Sequence, residues 1–310
     1  MSKVLVTGGA GFIGSNIVEE LVRRGEEVRV FDNFITGKRE NLGPFKDNIE
    51  IVEGDIRNSD MLLEAMKGID FVIHQAALRS VAKSVEDPIQ TNEVNIFGTL
   101  NLLMAARERK IRRVIYASSS SAYGDVKTFP QKETDTPSPI SPYGVSKLAA
   151  ENYCVMFSKT FGLETVSLRY FNVFGPRQNP ESKYSAVIPA LLAKMLRGER
   201  PVVDWDGKQS RDFTYVGNVV EANLRACTTP GIAGEVFNIA CGSTTSVIEI
   251  VRALNKILGA RLEPEFAPKR PGDVRKTKAD VHRMKSKLRM ERLVHFEEGL
   301  RHTVEWFRSK

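Results

Sequence analysis

Lys3-Val-Leu-Val-Thr7-Gly8-Gly9-Ala10-Gly11-Phe12-Ile13-Gly14 decides how the rest of the chain is read. Lys3 to Thr7 has the short, apolar, β-branched character of a buried strand. The glycines that follow permit a tight turn and a close backbone approach to a pyrophosphate. Asn16, Ile17, Val18, Leu21 and Val22 then repeat at helical spacing, so the glycines lie between a strand and a helix. A helix starting there offers free amides and a partial positive charge to phosphate oxygens. Three glycines alone are a weak pattern. With a strand before and a helix after, they point to a dinucleotide.

Working outward, Glu27-Val-Arg-Val-Phe31 is a second strand that ends at Asp32-Asn33. Asp32 lies 18 residues beyond Gly14, where a carboxylate meets the adenosine ribose hydroxyls and repels a 2′-phosphate. That favours NAD, with Lys38 and Arg39 keeping NADP as the alternative. Ile49 to Ile56 reads as a third strand with Asp55 near the adenine, and Phe71 to Ala77 as a fourth. His74 reads as a packed strand residue. A long helix is predicted over Ile89–Lys110, a fifth strand over Arg113–Ala117 and a sixth over Glu164–Tyr170. The alternation of strand and helix predicts an α/β fold, a doubly wound parallel sheet. Beyond Phe174-Gly-Pro176 the rhythm loosens. Arg211–Val216 reads as a strand, with helices at Asn218–Cys227, Ile248–Leu258 and Glu297–Trp306. We therefore expect a dinucleotide-binding domain over 1–175 and a smaller mixed α/β substrate lobe over 176–310 that returns in places to the sheet.

The chain has 310 residues and no apolar run long enough for a membrane-spanning helix. The first strand starts so early that no leader peptide is expected. Cys154, Cys227 and Cys241 are odd in number and show no metal-ligand spacing, which suits free thiols in the cytoplasm. The net charge of +7 suits an anionic ligand. Between Lys269 and Arg292 ten Lys or Arg face three acids, but aromatic residues are not interleaved, so a nucleic-acid surface is not expected.

Tyr143-Gly-Val-Ser-Lys147 supplies the chemistry. Ser141 and Pro142 suit the cap and first position of a helix, and Tyr143 and Lys147 then share one face. A nearby ammonium stabilises a phenolate, so Tyr143 is expected to lose its proton more easily and act as a base. Just upstream, Ser118-Ser-Ser-Ser121 ends a buried strand on the ligand edge of the sheet, where hydroxyls can bond a substrate.

Taken together, Thr7–Gly14, Asp32-Asn33, Gly54-Asp-Ile56, Tyr143 with Lys147, Leu168–Gly175, Arg211–Tyr215 and Arg270-Pro-Gly-Asp273 carry a family likeness. The chain resembles the extended short-chain dehydrogenase/reductase enzymes that act on nucleotide sugars, over nearly its full length, and most of all the UDP-hexose 4-epimerases. The resemblance implies a Rossmann domain and one bound NAD, reduced and reoxidised within each turnover. Tyr143 would take the proton of the sugar 4-hydroxyl, Lys147 would contact the nicotinamide ribose, and Ser119 would bond the 4-oxygen. Ser120 and Ser121 are close enough that this last role could fall one or two places later.

For the cofactor the resemblance carries over Gly8, Gly11, Phe12, Ile13 and Gly14, then Asp32, Asn33, Thr36 and Gly37. Asp55, Ile56, Gln75, Ala76 and Ala77 follow, and Asn95 and Tyr170 join Tyr143 and Lys147. For the UDP-sugar it carries over Arg79 and Ser80, the serines 119 to 121, Ala186 and Val187. Asn172, Arg211 and Arg270 match diphosphate contacts, and Asp273 a uridine-ribose contact. No metal is implied.

Two stretches bear on the sugar. Ala77–Pro88 is similar to the matching segment of epimerases that take N-acetylated UDP-sugars. Thr277 falls where the family has a gating residue, and its small size leaves room for a 2-acetamido group. Trp205 and the residues around it depart from the family pattern at the uracil side. A UDP-glucuronate 4-epimerase is the nearest rival, with Arg177 or Arg79 as carboxylate partner. A non-catalytic NAD-binding regulator is the alternative from another class. The resemblance also implies a homodimer, formed through the helices around Ile89–Lys110 and Tyr143–Phe161.

Overall fold

A computed structural model of the protein describes residues 2–126, 128–180, 186–269 and 275–310. Arg270 and Asp273, two of the expected UDP contacts, lie outside the described residues.

Seven strands form one parallel sheet. In chain order they begin with β1 (Lys3–Thr7), which feeds helix α1 (Phe12–Arg23) and then β2 (Glu27–Asp32), β3 (Ile49–Glu53) and β4 (Phe71–His74). Helix α2 (Gly98–Glu108), β5 (Arg113–Ser119), α3 (Pro142–Phe161) and β6 (Thr165–Tyr170) follow. After α4 (Val187–Leu196) and α5 (Val216–Thr228) the chain returns as β7 (Glu235–Ile239), and α6 (Val247–Leu258) and α7 (Phe296–Arg308) complete it. The spatial order is β7-β6-β5-β4-β1-β2-β3. The order reverses between β1 and β4, which pair through Val4–Phe71 to Thr7–His74, and ligands bind at such a switch point.

Alternation along the strands builds two cores. Val4 and Val6 face one side with Ile17, Val18 and Leu21 of α1 and Val219 of α5. Leu5, Val72, Val114 and Tyr116 face the other, with Leu102 and Leu103 of α2 and Ala150 and Phe157 of α3. Each fully buried Leu or Val is worth roughly 1.5–3 kcal/mol, which is why the register of the sheet tolerates no slip. A third core under the smaller lobe joins α4, α6 and α7 through Leu192, Leu254 and Leu300.

Some boundaries differ from the sequence reading. β3 and β4 are shorter and β5 runs two residues further, to Ser119, pairing Ser118 with Arg169 and Ser119 with Tyr170. The helical run over 88–108 is continuous but contains a π-helical turn at Glu93–Phe97. Arg211–Val216 is not one strand. Ser210–Arg211 pairs with Thr245–Ser246, Thr214–Tyr215 pairs with Val173–Phe174, and Val216 already opens α5. The break falls at Asp212, whose buried carboxylate gathers three backbone amides and draws the chain out of extended pairing. β7, which the sequence reading left without a place, extends the sheet next to β6.

Candidate active site

A cleft of about 650 Å³ runs along the carboxyl edge of the sheet, across the switch point. Its floor at the nucleotide end is the glycine loop. Gly8 has φ +67°, and a Cβ there would come 2.6 Å from the Ala76 amide nitrogen. A Cβ at Gly14 would sit 2.2 Å from the Gly8 carbonyl oxygen, so α1 packs this tightly only with glycine. The N-terminus of α1 at Gly11 takes no side-chain cap from the described residues, and Gly11, Phe12, Ile13 and Gly14 all line the cleft. Uncapped first-turn amides facing a cleft are what a pyrophosphate requires. The residues present therefore fit a dinucleotide.

Asp32 stands at the end of β2 and is buried. Its Oδ2 accepts from the Ala10 amide at 2.9 Å and its Oδ1 from Phe34 at 2.8 Å. Burial nonetheless pushes its pKa up, against those two bonds and the charge of Arg39. Arg39 is itself paired with Glu53 and lies over the Phe34 ring. Asp55 accepts from Asn33 at 3.0 Å and from Arg57 at 2.8 Å, and the hydrogen bond from Arg57 holds it at about 2. Thr36, Gly37, Ile56, Gln75, Ala76 and Ala77 line the same arm of the cleft. Tyr170 does too, where its hydroxyl receives Gln75 Nε2 at 2.9 Å.

Asn95 does not reach the cleft. It sits in the π-helical turn with its amide spent on the Leu78 backbone at 2.8 and 2.9 Å and on Ser146 Oγ at 3.0 Å. There it ties the loop after β4 to α3. His74 is packed between Thr7 and Thr99, and burial drops it to about 3, as a strand residue locked in a neutral form.

Ser141 caps α3 through the Gly144 amide, and the Tyr143 amide donates to Ser84 Oγ at 3.1 Å. Tyr143 is half-buried in the cleft, hydrogen-bonded to Ser119. Strand alternation explains why Ser119 is the serine that meets it. Ser118 turns to the α3 side and donates to Glu151 Oε2 at 2.6 Å, so Ser119 turns to the cleft, where its Oγ accepts from the Ser121 amide at 3.1 Å. Ser120 and Ser121 also line the cleft.

Lys147 is 4% exposed and donates to the Ala117 carbonyl at 2.8 Å. Burial pulls it down to about 7. The expected lowering of Tyr143 by Lys147 is not what the protein without its ligands displays. Burial pushes the phenol up, and the opposing influences are the Ser119 hydrogen bond and the charge of Arg79. The reason is shared desolvation. The dry environment that would make a phenolate costly also removes charge from the lysine meant to stabilise it.

At the sugar end, Arg79 is exposed at the rim and Asn172 and Ala186 line the cleft. Ser80 caps the short helix Val81–Glu86, and Val187 opens α4 just behind Ala186; neither lines the cleft. Arg211 and Thr277 also stand one layer back, where Thr277 Oγ1 accepts from Asn172 Nδ2 at 3.2 Å. Arg177 lines the cleft but is engaged by Asn16 at 3.1 Å and by Glu19.

Two features escaped the sequence reading. Glu151 follows Lys147 by four residues on the face that carries Tyr143, a visible signal, and forms a buried bidentate pair with Arg169 at 2.9 and 2.7 Å. Trp306 and Phe307 of α7 reach the outer end of the cleft, which nothing local in their sequence foretells. Among the described residues no cluster of three or more His, Cys, Asp or Glu could hold a metal, and no helix is long and apolar enough to cross a membrane.

The model of the NAD dependent epimerase/dehydratase family matches residues 4–240. A putative UDP-glucose 4-epimerase of Methanocaldococcus jannaschii is 37% identical over 308 residues, 99% of this chain and 98% of that protein. Among solved structures, UDP-glucose 4-epimerase of Thermotoga maritima with UDP-glucose is 42% identical with a TM-score of 0.94, covering 99% of both chains. UDP-N-acetylglucosamine 4-epimerase of Methanobrevibacter ruminantium in complex with UDP-N-acetylmuramic acid is 39% identical, also with a TM-score of 0.94, covering 99% of this chain and 98% of that one.

Proposed function

The chain belongs to the NAD-dependent epimerase/dehydratase family, and from that premise we propose that it epimerises UDP-sugars at C4. Its substrates are the UDP-Glc/UDP-Gal pair and the UDP-GlcNAc/UDP-GalNAc pair. The observation that carries the reading is the meeting of Ser119, Tyr143 and Lys147 at the switch-point cleft, in a chain whose full-length relatives include UDP-glucose and UDP-N-acetylglucosamine 4-epimerases.

NAD, when bound, supplies the acceptor that takes up hydride from C4 and returns it. The protein does the rest. Tyr143 Oη removes the proton of the 4-hydroxyl as C4 becomes a ketone, and gives it back when the sugar has presented its other face. Ser119 Oγ holds the same oxygen and bonds Tyr143, favouring the phenolate against burial. Lys147, brought near neutrality, exchanges a proton easily in the same dry site. Asn172 and Arg211 are the described residues assigned to the diphosphate, and Ala186 lines the same part of the cleft. Asp32 favours NAD, with Arg39 committed to Glu53 and Arg57 to Asp55, which leaves Lys38 as the cation in this arm of the cleft that would favour NADP.

Room for a 2-acetamido group is proposed from the family position and small size of Thr277, which stands behind Asn172 rather than at the cleft wall. The uronate reading is weaker, since Arg177 is already bound to Asn16 and Glu19. A homodimer is supported by exposed apolar side chains on the two helical faces expected to pair: Ile89, Phe97 and Met104 on one, Val145 and Phe161 on the other.

The test is incubation of the purified protein with UDP-GlcNAc, UDP-Glc and UDP-GlcA in separate reactions without added NAD, with products resolved by NMR. Interconversion of the N-acetylated and plain pairs is expected. Turnover of UDP-Glc alone overturns the Thr277 argument, and turnover of UDP-GlcA alone moves the protein to the uronate reading with Arg79 at the carboxylate. Silence on all three with NAD bound favours a non-catalytic NAD-binding protein.

A further inference from the structure

Asp212 is a fully buried carboxylate that plays no part in the chemistry above. Its oxygens join three separate stretches of chain. Oδ1 accepts the Cys241 amide at 2.9 Å, and Oδ2 accepts the amides of Gly242 at 3.0 Å and Ala279 at 3.2 Å. Its own carbonyl accepts from Asn172 Nδ2 at 3.1 Å. The same Nδ2 donates to Thr277 Oγ1, and the Thr277 amide donates to Ser210 at 3.2 Å. Asn172 in turn accepts from the Thr214 amide at 3.2 Å through its carbonyl.

This knot holds a strained residue. Asn172 has φ +32°, outside the regions a side chain adopts without cost, and such a conformation persists only when its surroundings over-determine it. Both hydrogens of the Asn172 amide nitrogen are directed to one corner, the Asp212 carbonyl and Thr277. That pins the Asn172 side chain where it lines the wall of the cleft.

We propose that Asp212 is a positioning residue for the UDP-sugar: it clasps 241–242 and 279 to the turn at 212 and thereby fixes Asn172 at the cleft wall and Thr277 behind it. The proposal rests on the reading of Asn172 and Thr277 as substrate contacts. Full burial supports it, since a carboxylate withdrawn from water can be kept only by donors that stay in place. Three amides from two loops are such donors, so the loops cannot drift without exposing an unmet charge.

The experiment compares Asp212→Asn and Asn172→Ala with the native protein, measuring KM and kcat for UDP-Glc, affinity for UDP by calorimetry, bound NAD by absorbance, and Tm. Asp212→Asn keeps the shape but turns one acceptor into a donor facing an N–H. Loss of a buried hydrogen-bonded anchor predicts a KM and a UDP Kd raised on the order of tenfold, with kcat per bound NAD within about threefold of native. A merely structural role would lower Tm and the active fraction and leave KM and UDP affinity unmoved, which overturns the proposal. If Asn172→Ala also leaves KM unmoved, it is the substrate-contact reading that fails; if it raises KM while Asp212→Asn does not, only the role of Asp212 falls. Should Asp212→Asn fail to fold, hydrogen exchange of the native protein decides. Saturating UDP is expected to slow the amides of Cys241, Gly242 and Ala279 by about tenfold through linkage, and unchanged exchange overturns the clasp.

Discussion

Replacing Lys147 with Met should stabilise the ligand-free protein at acid pH while abolishing turnover. Lys147 is 4% exposed, and burial lowers it from the ordinary 10.5 to about 7. A lysine whose folded pKa lies below its unfolded one costs stability, because the unfolded chain binds more protons between the two values. The cost is complete below pH 7 and fades as the pH rises from there towards 10.5. By linkage it amounts to at most about 5 kcal/mol at pH 6 and about 2 kcal/mol at pH 9. The Met variant removes that cost but also the donor to the Ala117 carbonyl, a loss of about 1–3 kcal/mol. We expect the variant to exceed the native protein by about 2 kcal/mol or more at pH 6, and this lead to shrink by about 2–3 kcal/mol at pH 9. Urea denaturation of both ligand-free proteins at the two pH values measures it, and subtracting one difference from the other cancels the lost hydrogen bond. A gap that is the same at pH 6 and pH 9 would refute the reasoning, since Lys147 would then titrate alike in the folded and unfolded chains.

Three further outcomes are expected. Tyr143→Phe should lower kcat by about 10²–10⁴-fold and leave NAD bound, checked by steady-state rates and the absorbance of the purified protein. Asp32→Ala should relax the preference for NAD over NADP, read by titrating each cofactor into the stripped protein; an unchanged preference would remove Asp32 from that role. Glu151→Gln leaves Arg169 charged and buried, and should cost about 3–5 kcal/mol in denaturant unfolding, whereas a double replacement of the pair by Met should recover much of it.

Features that depend on neighbours along the chain could be read before the fold was known. The turn of Gly8 to Gly14 between strand and helix, Asp32 at the end of β2, and Tyr143 with Lys147 on one helical turn are local patterns, and each has its expected place at the cleft. The doubly wound sheet was legible because apolar strands alternate with apolar-faced helices, and the parallel connections leave few topologies. Tertiary structure decided what depends on distant partners. Which serine meets Tyr143 follows from β5 pairing two residues further with β6, a contact between Ser118–Ser119 and Arg169–Tyr170. Asn95 was drawn to Leu78 and Ser146 by a π-helical turn, and Arg177 to Glu19, by geometry no spacing rule encodes. β7 and the Asp212 knot join segments whose pairing is not written in any one window of sequence. The protonation of Tyr143 and Lys147 followed burial rather than their proximity, because desolvation is set by everything that surrounds a side chain and proximity only by the residue four places away.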